Sequence, residues 1–167
     1  ETFLDWLAPP PGLRWLDVGC GSGAFTDLVI GRCAPRSVDG IDPAEAQLAF
    51  ARARPGAQIA RFQIGNAMAL PSPDNSYDAA VMALVLFFVP DPAKGVSELV
   101  RVVKPGGMIA AYVWDAARGG APYEAIWDEM SNLGVQPNRP PSEPISRMEM
   151  LRPLWTSASI VDVETKE

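Results

Sequence analysis

The chain has 167 residues, 48% hydrophobic and 20% charged, with 14 Lys+Arg against 20 Asp+Glu for a net charge of −6. Such a chain forms one globular domain rather than a disordered or fibrous one, and an acidic balance without a basic stripe argues against nucleic acid as its partner. With no histidine and only Cys20 and Cys33, it can build neither a Ser-His-Asp or Cys-His unit nor a His-ligated or four-thiolate metal site, so no metal is expected.

Short β-like runs alternate with helical segments, the pattern of an α/β domain with a mostly parallel sheet. Residues 2–7 read as the end of a helix, stopped by Pro9, Pro10 and Pro11. A first strand is expected over 14–18 and runs into Gly19, Gly21 and Gly23, with a helix over 24–33 whose Phe25, Leu28 and Val29 are spaced to face a sheet. A second strand over 37–42 and an Ala-rich helix over 44–54 follow, with Pro43 at its start. Strands three and four are expected over 57–64 and 77–84, and an amphipathic helix over 93–103. Residues 104–107 (KPGG) form a turn into strand five, 108–114. A helix over 122–133, a proline-rich irregular stretch over 134–145, a short helix over 146–155 and a sixth strand over 159–164 complete the chain. The longest apolar run, 79–89, falls short of the ~20 residues a membrane-spanning helix needs. Two cysteines make no disulfide framework, and a cytoplasmic protein is expected.

The stretch LDVGCGSG, 16–23, lies between a strand and a helix. Its alternate glycines leave room for a ligand against the backbone, beside the unpaired N–H groups of a helix start. Asp42 ends the second strand 23 residues after Gly19, where a carboxylate can accept both ribose hydroxyls of a nucleoside. Gly19, Gly21 and Ala24 also satisfy the looser dinucleotide pattern G-x-G-x-x-[GA], so a nicotinamide-dependent oxidoreductase is an alternative, and a cofactor-binding module without turnover is another. Asp17 favours a cationic ligand, because a pyrophosphate is repelled by a nearby carboxylate and the sulfonium and amine of S-adenosylmethionine are not.

The segments LDVGCGSG, VDGIDP, GNAMALPSPDNSYD and RVVKPGG, in this order and spacing, resemble class I S-adenosylmethionine-dependent methyltransferases, above all the branch of the ubiquinone/menaquinone biosynthesis C-methyltransferases. The resemblance implies a three-layer Rossmann-like sheet with helices on both faces, S-adenosylmethionine as cofactor and a small-molecule methyl acceptor. It matches Asp17, Gly19, Cys20, Gly21 and Gly23 to the loop that holds the methionine moiety, and Asp42 with Pro43 to the ribose-binding turn. Asn66 and Ala67 match the pair against adenine, Met82 and Ala83 the position bordering the cofactor after strand four, and Phe87 a residue closing over it.

No catalytic residue is assigned. Without histidine the candidates for a base are carboxylates, lysines, Tyr77, Tyr112 and Tyr123, with Asp115 and Trp114 just past strand five. In the family that the chain resembles, acceptor specificity comes partly from insertions late in the sheet, which 134–155 match. That family's sheet has seven strands in the order 3-2-1-4-5-7-6. Six are counted here, so the last strand is expected to be missing, residues 1–167 to form one domain truncated at both ends, and the free edge of strand five to pair in a homodimer or leave the last segment irregular.

Overall fold

The computed structural model describes residues 2–115 and 120–166. Five strands, β1 (Arg14–Val18), β2 (Ser37–Asp42), β3 (Ala60–Ile64), β4 (Tyr77–Ala83) and β5 (Val103–Tyr112), form one sheet in the order β3-β2-β1-β4-β5, with every neighbouring pair parallel. The helices are α1 (Phe3–Leu7), α2 (Ala24–Cys33), α3 (Glu45–Arg52), α4 (Pro92–Val102), α5 (Glu124–Asn132) and α6 (Met148–Ser157). This is the α/β domain with a parallel sheet that the alternation of elements predicts, and the Rossmann-like fold that the resemblance implies.

The pleat sends alternate residues to opposite faces. On one face Trp15, Val38, Ala79, Val81 and Ala110 meet Leu4 of α1 and Phe25, Val29 and Cys33 of α2. On the other, Leu16, Val18, Ile41, Ala80 and Met82 meet Val96, Leu99 and Val102 of α4, with Ile145 and parts of α6 behind them. Each such side chain, buried in full, is worth about 1.5–3 kcal/mol, and α4 commits three along one stripe. Asp17, falling between Leu16 and Val18, is turned by the same alternation toward the α2 face.

Several expectations need correction. Residues 2–7 are a helix with its own start, because Thr2 and Asp5 form a reciprocal capping box. The third strand is shorter than expected, since a 3-10 turn over Pro55–Ile59 takes its first half. KPGG lies inside β5, where the pairing with β4 shifts between Tyr77↔Val103 and Ala79↔Met108. The expected sixth strand, 159–164, has no regular structure among the described residues. Ser159 and Asp162 adopt positive φ of 60° and 55°, which breaks an extended run, and Ile160 packs on the α4 side of the core while Val161 is exposed.

Candidate functional site

At the carboxyl ends of β1 and β2 the glycine loop folds over the neighbouring strand. Gly19 and Cys20 both donate their N–H to the Ile41 carbonyl, at 2.7 and 3.1 Å, and the Gly23 N–H goes to the Cys20 carbonyl at 2.8 Å. Asp42 completes the arrangement: its Oδ2 accepts the Gly21 N–H at 2.9 Å and its Oδ1 the Ala44 N–H at 2.8 Å. Each carboxylate oxygen keeps a second lone pair for an outside donor. Behind the loop, Arg54 donates to the Ser22 carbonyl and to Asp27 of α2, tying the end of α3 to the loop.

Asp17 lies beneath the loop, 1% exposed. Thr26 Oγ1 donates to its Oδ2 at 2.6 Å, while Oδ1 is buried without a partner. Burial, reinforced by the nearby Asp42 charge and opposed by the Thr26 hydroxyl, pushes this carboxyl from its ordinary 3.8 up to about 6. At neutral pH it is ionised, so two carboxylates set a negative potential under and beside the loop. Burial between them also drives the Cys20 thiol upward, which leaves Cys20 a packing residue with its Sγ against the Cα side of Gly40.

Two loop glycines serve different ends. Gly21 has φ +51° and nothing within 4 Å of the position a Cβ would take, so its face is open to a ligand. Gly19, φ +73°, is closed instead: a Cβ there would lie 2.6 Å from Val85 Cγ1. Val85 follows Leu84, which holds a left-handed φ of 60° and donates its N–H to the Tyr112 carbonyl at 2.9 Å. Sequence reading missed Val85: the strand order that the resemblance implies sets β4 beside β1 but does not say which side chain after β4 meets Gly19. Gly19→Ala is therefore expected to cost about 2–3 kcal/mol through overpacking and strain. In denaturant unfolding, Val85→Ala should restore part of that loss; additive losses in the double variant would refute the contact.

The other expected residues divide. Gly65 donates to the Asp42 carbonyl at 3.2 Å, which brings the exposed Asn66 and half-buried Ala67 to the end of β3 beside Asp42. Asn66 Oδ1 accepts the Met68 N–H at 2.9 Å, so the side chain caps its own turn and keeps its NH2 and a second lone pair outward. Pro43, also exposed, follows Asp42 in the turn before α3. Ala83 lies on the same sheet face as Asp17, whereas the Met82 side chain is fully buried in the opposite core, so only its backbone can border a ligand. Phe87 is 2% exposed and packed in that core, hence unavailable to close over anything in this conformation; its neighbour Phe88 is 56% exposed, with ring centroids 4.5 Å apart.

Of the candidate bases, Tyr77 is at the opposite, amino end of the sheet, where its OH donates to Asp39 Oδ2 at 2.9 Å and meets Ser72 Oγ at 2.8 Å. Tyr123 stacks on Trp127 of α5, centroids 4.3 Å apart. Tyr112 alone of the three ends on a strand beside the loop, its ring against Phe3 and Phe25, and burial, reinforced by the Asp17 charge, pushes its phenol above its ordinary value. Trp114 is 38% exposed just past β5. Among the described residues no group of three or more Cys, Asp or Glu is placed to hold a metal ion, and no helix is long and apolar enough to cross a membrane.

Known proteins are similar to this chain. Residues 16–111 match the family model described as methyltransferase domain. The demethylmenaquinone methyltransferase of Symbiobacterium thermophilum is 40% identical over 102 residues, 58% of this chain and 41% of the relative. A solved S-adenosylmethionine-dependent methyltransferase from Mesorhizobium loti is similar at 30% identity with a TM-score of 0.58, over 62% of this chain and 48% of that one. The YcgJ protein of Bacillus subtilis, at 21% identity and a TM-score of 0.66 over 93% of this chain and 64% of that one, shares the fold. The chain spans about two-fifths of the length of the first curated relatives it matches. Since the family match takes in more than half the chain, from β1 to β5 with the glycine loop and Asp42 between them, this protein belongs to the methyltransferase domain family.

Proposed function

We propose that this chain binds S-adenosylmethionine at the carboxyl ends of β1, β2 and β4 and transfers its methyl group to a small-molecule acceptor. The observation that carries the reading is how the loop amides are spent. A pyrophosphate-binding loop presents free N–H groups to the anion; here the amides of Gly19, Cys20, Gly21 and Gly23 are taken by the chain itself, and only the first turn of α2, which has no side-chain cap, keeps unpaired N–H groups at that end of the sheet. With Arg54 paired to Asp27, the charges left beside the loop are those of Asp17 and Asp42, the former with an oxygen buried and unpartnered. Such a site attracts a cation and repels a diphosphate, which favours the sulfonium cofactor over a nicotinamide dinucleotide.

Bound here, the cofactor would supply an activated methyl group, so the protein need not provide a nucleophile. Its residues then hold and align: Asp42 accepts from the ribose, Asn66 and Ala67 border the adenine, Asp17 lends its field to the positive charge, and the open face of Gly21 admits the chain that joins them. Positioning two reactants and excluding water provides much of the acceleration in such a displacement. The acceptor approaches over the ends of β4 and β5, where open α/β sheets place their ligands.

The test is calorimetric titration of S-adenosylhomocysteine and NAD into the parent and into Gly21→Val, with Gly12→Val as a control. Gly12 has φ +80° and equally empty surroundings, but lies in the turn before β1. Both variants should lose comparable stability from a β-branched residue in the left-handed region. Only Gly21→Val should lose S-adenosylhomocysteine binding, and the parent should not bind NAD. Undiminished binding by Gly21→Val, or a preference for NAD, would overturn the proposal.

A further inference from the structure

The segment that follows Asn66 and Ala67 is held from below by two residues of α4. Glu98 is 6% exposed although it carries a charge; it falls on the helix stripe of Gly95, Leu99 and Val102, all buried. Its Oε2 accepts the Leu70 N–H at 2.8 Å and Arg101 Nη2 at 2.7 Å, and its Oε1 accepts Arg101 Nε at 2.9 Å. Arg101 then forks into the same segment: Nη2 donates to the Leu70 carbonyl at 3.0 Å, Nη1 to the Ser72 carbonyl at 2.8 Å and to Asp74 Oδ1 at 2.8 Å. Leu70 and Ser72 are themselves buried. At the other end of the loop, Gly65 is bonded to Asp42 and packs so closely that a Cβ would lie 2.6 Å from Ile41 Cγ2 and 3.2 Å from Pro71 Cδ.

We propose that Glu98 and Arg101 are positioning residues for the nucleoside end of the cofactor, acting through the 65–74 loop; this rests on the cofactor reading above. A buried carboxylate that accepts a backbone N–H and a forked guanidinium is strong and geometrically demanding, and without Arg101 the buried Glu98 keeps only the Leu70 N–H and Lys94, 3.8 Å away, to offset its charge. The pair spends its hydrogen bonds on one connection. That connection carries the pair of residues matched to the adenine, and the exposed Asn66, next to the anchored Gly65, caps its own turn through the Met68 N–H. Fixing Leu70 and Ser72 fixes where the Asn66 amide meets the base, at a distance from any group that touches the cofactor.

The experiment measures affinities for S-adenosylhomocysteine and for S-inosylhomocysteine, which lacks the exocyclic amine, in the parent, Glu98→Gln and Arg101→Lys. The parent should prefer the adenosyl compound about tenfold, the worth of one good hydrogen bond to a placed partner. Both variants should bind it about tenfold more weakly while binding the inosyl compound nearly as the parent does, so the preference collapses. A purely structural pair would lower the unfolding temperature and leave the ratio intact. Should Glu98→Gln fail to fold, the milder Arg101→Lys decides, since it keeps the charge but loses the fork. Unaltered ratios with a parent that binds S-adenosylhomocysteine would overturn this proposal alone; a parent that does not bind it would overturn the cofactor reading as well.

Discussion

Asp17→Asn is expected to make the unliganded fold more stable at neutral pH and its grip on S-adenosylmethionine weaker. The folded carboxyl titrates near 6 instead of 3.8 because it is wholly buried, so between those values the folded chain holds a proton that the unfolded chain releases. Stability therefore falls as pH rises through this window, and from pH 7 upward the ionised group costs the fold about 3 kcal/mol, at 1.36 kcal/mol per pH unit. The asparagine isostere can keep the Thr26 hydrogen bond and carries no charge to desolvate. Measured as variant minus parent in urea, the gain should approach 3 kcal/mol at pH 7–8 and shrink toward zero near pH 4. Taking the difference cancels the opposite trend of Asp5, Asp78 and Glu98, whose hydrogen bonds hold them below their ordinary values. The same neutral side chain removes the negative potential under the loop, and calorimetric affinity for the sulfonium cofactor should fall about tenfold or more. A variant less stable than the parent at pH 7, or one that binds equally well, would show that the charge is not held there for a ligand.

The pairing of a destabilising charge with a ligand site marks where sequence reading reaches and where it stops. The limits of β1, α2 and β2 are legible because Arg14–Val18, Ala24–Cys33 and Ser37–Asp42 are bounded by glycine, proline and an abrupt change of period. Residues 161–164 (VDVE) alternate as well, yet alternation describes only one strand's side chains. A strand also needs an edge to pair with, and among the described residues the edge of β5 does not take up this segment. The glycine loop was legible as a loop; its division of labour was not. That Gly19 makes room for Val85 while Gly21 faces open space depends on where the chain leaving β4 sets the Val85 side chain, a contact that strand order alone does not specify. Phe87 and Phe88 differ only in which way a 3-10 turn over Leu86–Phe88 directs them. Glu98 did leave a signal: a carboxylate three residues from a basic one, on the stripe that α4 turns to the core. A charge on the apolar side of an amphipathic helix is costly unless something is bound to it.

Asp42→Ala is expected to lose both the cofactor and the shape of the loop that receives it, and the two losses can be separated. The aspartate is 9% exposed and accepts two backbone amides, from Gly21 at 2.9 Å and Ala44 at 2.8 Å, so one side chain fixes the turn between β1 and α2 to the start of α3. Removing it leaves two amides without their acceptor, a loss of about 1–3 kcal/mol in unfolding free energy. The ribose hydroxyls lose charge-assisted acceptors in addition, roughly 1.5–3 kcal/mol, or ten- to a hundredfold in dissociation constant for S-adenosylhomocysteine. Asp42→Asn distinguishes the contributions. Its amide oxygen can keep one backbone N–H and one ribose hydroxyl, but its NH2 meets the other backbone N–H as a second donor, so stability and affinity should both fall to intermediate values. If the loop were only a turn, stability would drop in the two variants while the affinity of the folded protein stayed at the parent's value. Affinity that falls with each acceptor removed would place the ligand's hydroxyls on Asp42 itself, because only a group shared by loop and ligand couples both measurements to the same two oxygens.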